Sequence, residues 1–161
     1  MARRLPTGVT VVTSGRGKDV HGMTVNSFTT LSLSPPLVSF SVQQSARIRK
    51  LIEVSGGFVV NVLAAEQADL ARWFANRDRP TGEDSFTEVD TAEAPSTGGI
   101  RIAGTIGHFT CRTVQLIDAG DHTIVIGSVT DCASRDQAPQ LLFADGEFHA
   151  LRTRRSDDPH A

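Results

Sequence analysis

Hydrophobic and polar residues alternate over several short stretches of this chain, and a period of two predicts strands. In Leu37-Val38-Ser39-Phe40-Ser41-Val42, Val38, Phe40 and Val42 point one way and Ser39 and Ser41 the other. The preceding Pro35-Pro36 blocks a helix there. Gly8-Val9-Thr10-Val11-Val12-Thr13 is a β-branched run closed by the turn cluster Ser14-Gly15-Arg16-Gly17, and an extended segment resumes over His21 to Val25. Together they predict a hairpin. Phe58 to Leu63 reads as a strand buried on both faces, and Thr105 to Ile117 and Thr123 to Thr130 as two longer strands joined at Asp118-Ala119-Gly120-Asp121-His122. Leu141 to Phe143, Ala144-Asp145-Gly146 and Glu147 to Leu151 predict a last hairpin.

A period near 3.6 appears twice. Ile48, Leu51 and Ile52 share a face behind Ser45, a candidate N-cap, and Gly56-Gly57 ends that helix. A second helix spans about Glu66 to Ala75, with Leu70 and Phe74 on one stripe and the pair Trp73-Phe74 suited to packing. Asn76 to Gly99, rich in Asp, Glu, Thr and Gly, reads as a long loop of the kind that is functional or mobile. About seven strands and two short helices, without internal repeats, predict a mainly β fold closed as a small barrel. Residues 1–151 form one domain in this reading and 152–161 a polar C-terminal tail.

Composition narrows the function. The chain has 161 residues, 39% hydrophobic and 21% charged, as in an ordinary globular domain. Sixteen Lys and Arg against eighteen Asp and Glu leave a net charge of −2, which argues against a nucleic-acid partner. No apolar run approaches the ~18 residues of a membrane helix, and the start lacks a signal-peptide core, so a cytoplasmic protein without a membrane partner is expected. Five scattered histidines offer no ligand-spaced pair, so no metal site is expected. Cys111 and Cys132 read as reduced structural residues, with a disulfide open if their strands pair.

Three stretches could carry chemistry. His21 to Pro36 leaves a strand into a segment dense in hydroxyls, able to offer backbone N–H groups to a flat polar ligand or simply to satisfy its own turns. Gln43-Gln44-Ser45-Ala46-Arg47 opens a helix, and its N–H groups with Arg47, Arg49 and Lys50 make either a phosphate seat or a solvated face. His122, after Gly120-Asp121, could stack on a ring or titrate near neutrality, or stand exposed in a turn. His21, His108, His149 and His160 receive no role. No nucleophile signature and no phosphate-binding glycine loop is present.

In combination the stretches resemble the short-chain flavin reductase family, the reductase components of two-component flavin-dependent monooxygenases. The resemblance rests on Leu5 to Thr13, Gly22 to Phe28, Ser32 to Pro36, Phe58 to Leu63, Gln67 to Ala75 and Gly120 to Gly127, in order from Leu5 to about Leu151. It implies a Greek-key split β-barrel with two or three short helices, usually a homodimer with flavin near each subunit contact. By this similarity Thr24, Val25, Asn26 and Ser27 meet the isoalloxazine and ribityl atoms, largely through backbone, and Ser32 and Leu33 border the same ligand. Ser41, Ser45, Ala46 and Arg47 would hold the ribityl hydroxyls and phosphate, Pro6 and Thr7 would close the rim, and His122 would be the catalytic residue on the nicotinamide side.

The implied activity is an NAD(P)H-dependent flavin reductase: hydride passes from NADH, less so NADPH, to FAD or FMN, and the reduced flavin diffuses to a separate monooxygenase. The same barrel could instead retain flavin and reduce another acceptor, or bind flavin without turnover. The chain departs from the family pattern in places. Only seven residues precede Gly8 where a longer N-terminal helix is common, Ser34 stands where Asp often precedes the Pro-Pro pair, and the helix start lacks a second hydroxyl after Ser45.

Overall fold

The computed structural model describes residues 4–93, 97–135 and 138–151. The tail expected over 152–161 lies outside the described residues. A seven-stranded antiparallel sheet dominates, built from β2 (Thr10–Ser14), β3 (His21–Val25), β4 (Thr29–Leu33), β5 (Pro36–Gln43), β6 (Gly57–Val62), β9 (Gly107–Ala119) and β10 (His122–Ser134). Its order is β3-β2-β6-β9-β10-β5-β4. Two helices interrupt it, α1 (Arg47–Ser55) and α2 (Ala68–Ala75). Short strands complete the fold: β1 (Thr7–Gly8) pairs β11 (Leu141–Ala144), which pairs β12 (Glu147–Ala150), while β7 (Thr91–Glu93) pairs β8 (Ile100–Ile102).

The end strands β3 and β4 do not pair with each other, so the sheet curls without closing by hydrogen bonds. Helix α1 packs against β2, β3, β6 and β5, strands from both halves of the sheet, which requires that curl. Ile48 and Ile52, fully buried, carry its apolar face onto Val12, Phe40, Phe58 and Val60. Burying two such side chains stabilises the fold by roughly 3–6 kcal/mol. The αL backbone of Gly56 (φ +69°) ends the helix, and its N–H donates to the Ile52 carbonyl, as the Gly-Gly stop predicts.

Strand β2 is buried along its whole length because α2 covers its outer side: Val12 belongs to the inner core, whereas Val11 packs with Leu63, Ala71 and Phe74 outside it. Asn61, fully buried on β6, donates to the carbonyls of Val11 and Ile100, both at 3.1 Å, and accepts from Ile102 N–H at 2.8 Å. One amide thereby ties β8 across β6 to β2.

The structure refines several expectations. The run from Gly8 to Thr13 divides at Val9, because Thr7–Gly8 pair with β11 and Thr10–Ser14 with β3 and β6. The hydroxyl-rich segment Thr29–Leu33, for which the sequence predicted no strand, is an edge strand on β5. The long loop holds a 3₁₀ turn over Gly82–Phe86 and the β7–β8 pair. Phe74 is buried, whereas Trp73 is 37% exposed and its indole N–H donates to Ser85 O. The cysteine strands do pair, but Cys111 stands opposite Val129 and Cys132 opposite Phe109, and both thiols are free. Burial, with Cys132 nearby, pushes the Cys111 thiol up to about 12, which leaves it inert.

Candidate functional site

The seam between β3 and β5 opens into a cleft with two lobes. A cavity of about 400 Å³ runs from Met23 and Thr24 past Ser45, Ala46 and Arg47 to Phe74. A second, of about 220 Å³, is lined by Val25, Asn26, Ser27, Ser41 and His122. The two share Met23, Thr24, Gln43 and Arg77, so they form one continuous groove. The larger lobe alone has the size of a small-molecule site.

In the smaller lobe the hydroxyls are mostly engaged by the protein. Ser27 Oγ accepts from the Ser41 N–H at 3.0 Å and donates to Ser41 O at 3.2 Å, which ties the end of β3 to β5 across the seam. Thr24 Oγ1 donates to Ala71 O at 2.7 Å, so its hydroxyl is engaged by α2. The lobe thus combines small residues, Val25, Ser27 and Ser41, with the longer side chains of Met23, Gln43, Arg77 and His122.

His122 starts β10 opposite Gln43, the last residue of β5. The two-residue turn Gly120–Asp121 before it is held by Gln44, whose N–H donates to Asp121 O at 3.0 Å and whose side-chain amide donates to Gly120 O at 3.1 Å. Asp121 Oδ1 lies 2.7 Å from His122 Nδ1, and that hydrogen bond holds the Asp121 carboxyl below the usual carboxylate range. Arg77 reaches in from the loop after α2, and its guanidinium donates to Gln43 Oε1 at 2.9 Å.

At the larger lobe α1 begins. Ser45, expected to cap it, stands one residue earlier; Ala46 is the N-cap, and no side chain caps the first turn. Uncapped N–H groups and the positive end of the helix favour an anion, and Arg47 adds a full charge. Arg77 and Arg79 line the same lobe, with no Asp or Glu among its lining residues. Arg79 is 9% exposed; it donates to Gly22 O and Asn76 O and lies over the Phe74 ring at 5.4 Å. Burial, then Arg47 beside it, lowers the Arg79 pKa from its ordinary value. His21 Nε2 is 3.3 Å from Arg79 Nη2, and burial, then Arg79 and Arg47, brings the imidazole down to about 4.

Of the residues singled out from the sequence, Thr24, Val25, Asn26, Ser27, Ser41 and His122 meet in the smaller lobe. Ser45, Ala46 and Arg47 meet in the larger one. Ser32 and Leu33 line neither: they lie on edge strand β4, and Leu33 is 93% exposed. Sequence reasoning passed over Arg77, Arg79 and His21 as site residues, and included Gln43 only as part of the stretch before α1. The length of the loop holding both arginines was the available signal; nothing local marked His21, because its partner is remote in the chain.

The chain matches the family model described as "Flavin reductase like domain" over residues 1–152. It is 43% identical over 143 residues to the NADH-dependent FAD reductase of Streptomyces globisporus, covering 89% of this chain and 78% of that protein. Over 145 residues it is 36% identical to the reductase subunit HsaB of a flavin-dependent monooxygenase from Rhodococcus jostii (strain RHA1), covering 90% and 72%. Among solved structures, BorF, the flavin reductase component of a bacterial two-component tryptophan halogenase, superposes with a TM-score of 0.89 at 37% identity, covering 95% of each chain.

Proposed function

Because the chain belongs to the flavin reductase like family, we propose that it is an NAD(P)H-dependent flavin reductase that passes hydride from NADH to FAD or FMN and releases the reduced flavin to a separate flavin-dependent monooxygenase. The observation that carries this reading is the continuous cleft in which β3, the start of α1 and His122 converge. Its two ends differ in chemistry: Asn26, Ser27, Ser41 and His122 line one, and the uncapped start of α1 with Arg47 and Arg79 lines the other, Arg77 being common to both.

Flavin bound there would supply the hydride acceptor, and the protein's work would be to hold and orient the nicotinamide against it. Val25, Asn26 and Ser27 border the ring system, and Ser27, locked to Ser41, keeps that wall rigid. Asn26 and the neighbouring main-chain N–H groups would supply donors to the ring system. Arg47 and the first turn of α1 hold the phosphate. His122, oriented by Asp121, stands on the nicotinamide side. No nucleophile or paired carboxylate is needed for such a transfer. The reaction belongs in the cytoplasm, where reduced nicotinamide nucleotide is maintained.

The reading includes a homodimer. The ladder partners Ile117, Ile124 and Ser41 lie on the side of the sheet away from the inner core, as do Ile126 and Ser39, and Leu37 continues that face. Self-association would bury this apolar band beside the cleft. Light scattering of the purified protein at a single-chain mass would remove the dimer from the proposal.

The activity is tested by following absorbance at 340 nm as the protein receives NADH with FMN, FAD or riboflavin. Flavin-dependent oxidation with diffusible product is expected. A yellow protein that retains flavin and leaves NADH untouched would favour another acceptor, and a colourless one that only titrates flavin would reduce the chain to a binding module.

A further inference from the structure

His122 carries strand β10 into the smaller lobe, but its own side-chain contact does not hold it there. The ring bonds to Asp121, whose side chain is 87% exposed, and a bond so open to water contributes little. The position of His122 therefore depends on its main chain. That main chain follows the two-residue turn Gly120–Asp121 joining β9 to β10, and the space around Gly120 is open. The hairpin tip has to be held from elsewhere.

Two residues of the segment that starts α1 hold it, on either side of His122. Before it, Gln44 donates its main-chain N–H to Asp121 O at 3.0 Å and its side-chain amide to Gly120 O at 3.1 Å. Gln44 is itself fixed, because the Ala46 N–H donates to Gln43 O at 2.9 Å and closes the turn into the helix. After it, Arg49 Nε donates to Thr123 Oγ1 at 3.2 Å, and that hydroxyl donates to Asp118 Oδ1 at 2.7 Å. Arg49 Nη2 lies 4.0 Å from the same carboxylate oxygen. Thr123 is fully buried, and the period of two along β10 turns its neighbour His122 to the opposite face, toward the cleft. Arg49, which the sequence grouped with the phosphate seat, lines neither lobe. Its guanidinium is directed to the hairpin instead.

We propose that Gln44 and Arg49 are positioning residues for His122: they fix the β9–β10 turn against the start of α1, so that the imidazole stands at a set distance from the end of the cleft lined by Arg47. Neither binds flavin. The inference rests on the reading of His122 as the residue on the nicotinamide side, and it assigns to the six residues from Gln44 to Arg49 the alignment of the two ends of the cleft.

The test measures NADH oxidation at saturating FAD for the wild type, Gln44→Ala and Thr123→Val, and for both substitutions in the His122→Ala chain. Gln44→Ala removes the amide and keeps the main-chain bond to Asp121. Thr123→Val keeps shape and charge and takes away the acceptor of Arg49. Each should lower kcat/KM for NADH by roughly three- to ten-fold, the loss of one or two hydrogen bonds. FAD affinity by fluorescence quenching should stay within about two-fold. In the His122→Ala background the same substitutions should change kcat/KM by less than about two-fold, because the ring they position is gone. Losses as large there as in the wild type would mean that they act on the fold and not through His122, and would overturn the proposal. Unchanged NADH kinetics in a variant, even with a lowered Tm, would strike the residue it tests, and an equal loss of FAD affinity would do the same. If Thr123→Val fails to fold, Gln44→Ala, at an exposed side chain, decides alone. A His122→Ala chain with unchanged NADH kinetics would remove the nicotinamide role and this proposal together, leaving the reductase reading intact. A wild type that oxidises no NADH with any flavin would remove the reductase reading as well.

Discussion

Asp121 Oδ1 accepts a hydrogen bond from His122 Nδ1 at 2.7 Å. An ionised carboxylate can only accept, so it fixes the ring proton on Nδ1 and leaves Nε2 as the atom available to a ligand. The turn holding both residues is itself held by Gln44. A nicotinamide role for His122 predicts that His122→Ala lowers kcat/KM for NADH by about ten-fold or more, with FAD affinity within about two-fold. Asp121→Ala, which frees the ring without removing it, should cost less. Stopped-flow reduction beside flavin titration separates the two effects, and equal loss of both would remove the role.

Arg47 adds the full charge at the uncapped start of α1. Charge-assisted hydrogen bonds to a phosphate contribute roughly 1.5–3 kcal/mol. Arg47→Ala should therefore weaken FMN and FAD by about ten-fold or more and leave riboflavin nearly unchanged. If riboflavin weakens as much in calorimetric titration, Arg47 is not the phosphate anchor.

The depressed pKa of His21 has a consequence for stability. The imidazole titrates near 6.5 in the unfolded chain and near 4 in the folded one. Above pH 6.5 it is neutral in both states and contributes no pH dependence. As pH falls from 6.5 to 4 the unfolded chain takes up the proton first, so stability falls, by up to about 3 kcal/mol from this group. His21→Phe removes that component. Melting temperatures measured from pH 7 to 4 should fall less steeply in the variant, and parallel curves would contradict the assignment.

Asn61 satisfies three main-chain groups from a fully buried position. Asn61→Leu would strand the Ile102 N–H and remove a donor from the Val11 and Ile100 carbonyls, the second of which still accepts from Thr13 Oγ1 at 2.7 Å, at a cost of about 2–4 kcal/mol. For a chain of this length that lowers Tm by roughly 5–15 °C. An unchanged melting temperature would mean that β8 is held by other contacts.

The sequence by itself determined what depends on near neighbours. Alternation over Leu37–Val42 placed the hydroxyls of Ser39 and Ser41 opposite the core side chains, and the pairing of β5 with β10 keeps that division. The spacing of Ile48 and Ile52 and the stop at Gly56 defined α1, and the motifs from Thr24 to Arg47 named most of the cleft. Tertiary structure decided the rest. Thr29–Leu33 has little strand pattern of its own and becomes β4 because β5 offers it a ladder. Ser32 and Leu33 go with that edge, away from the cleft. His21 and Arg79 stand 58 positions apart, and Gln43 and Arg77 34, yet each pair meets in one groove. Local periodicity records which face a side chain turns to the core. Which distant side chains then share a cavity is set by how the sheet curls around α1, a sum of many contacts that no short window of sequence contains.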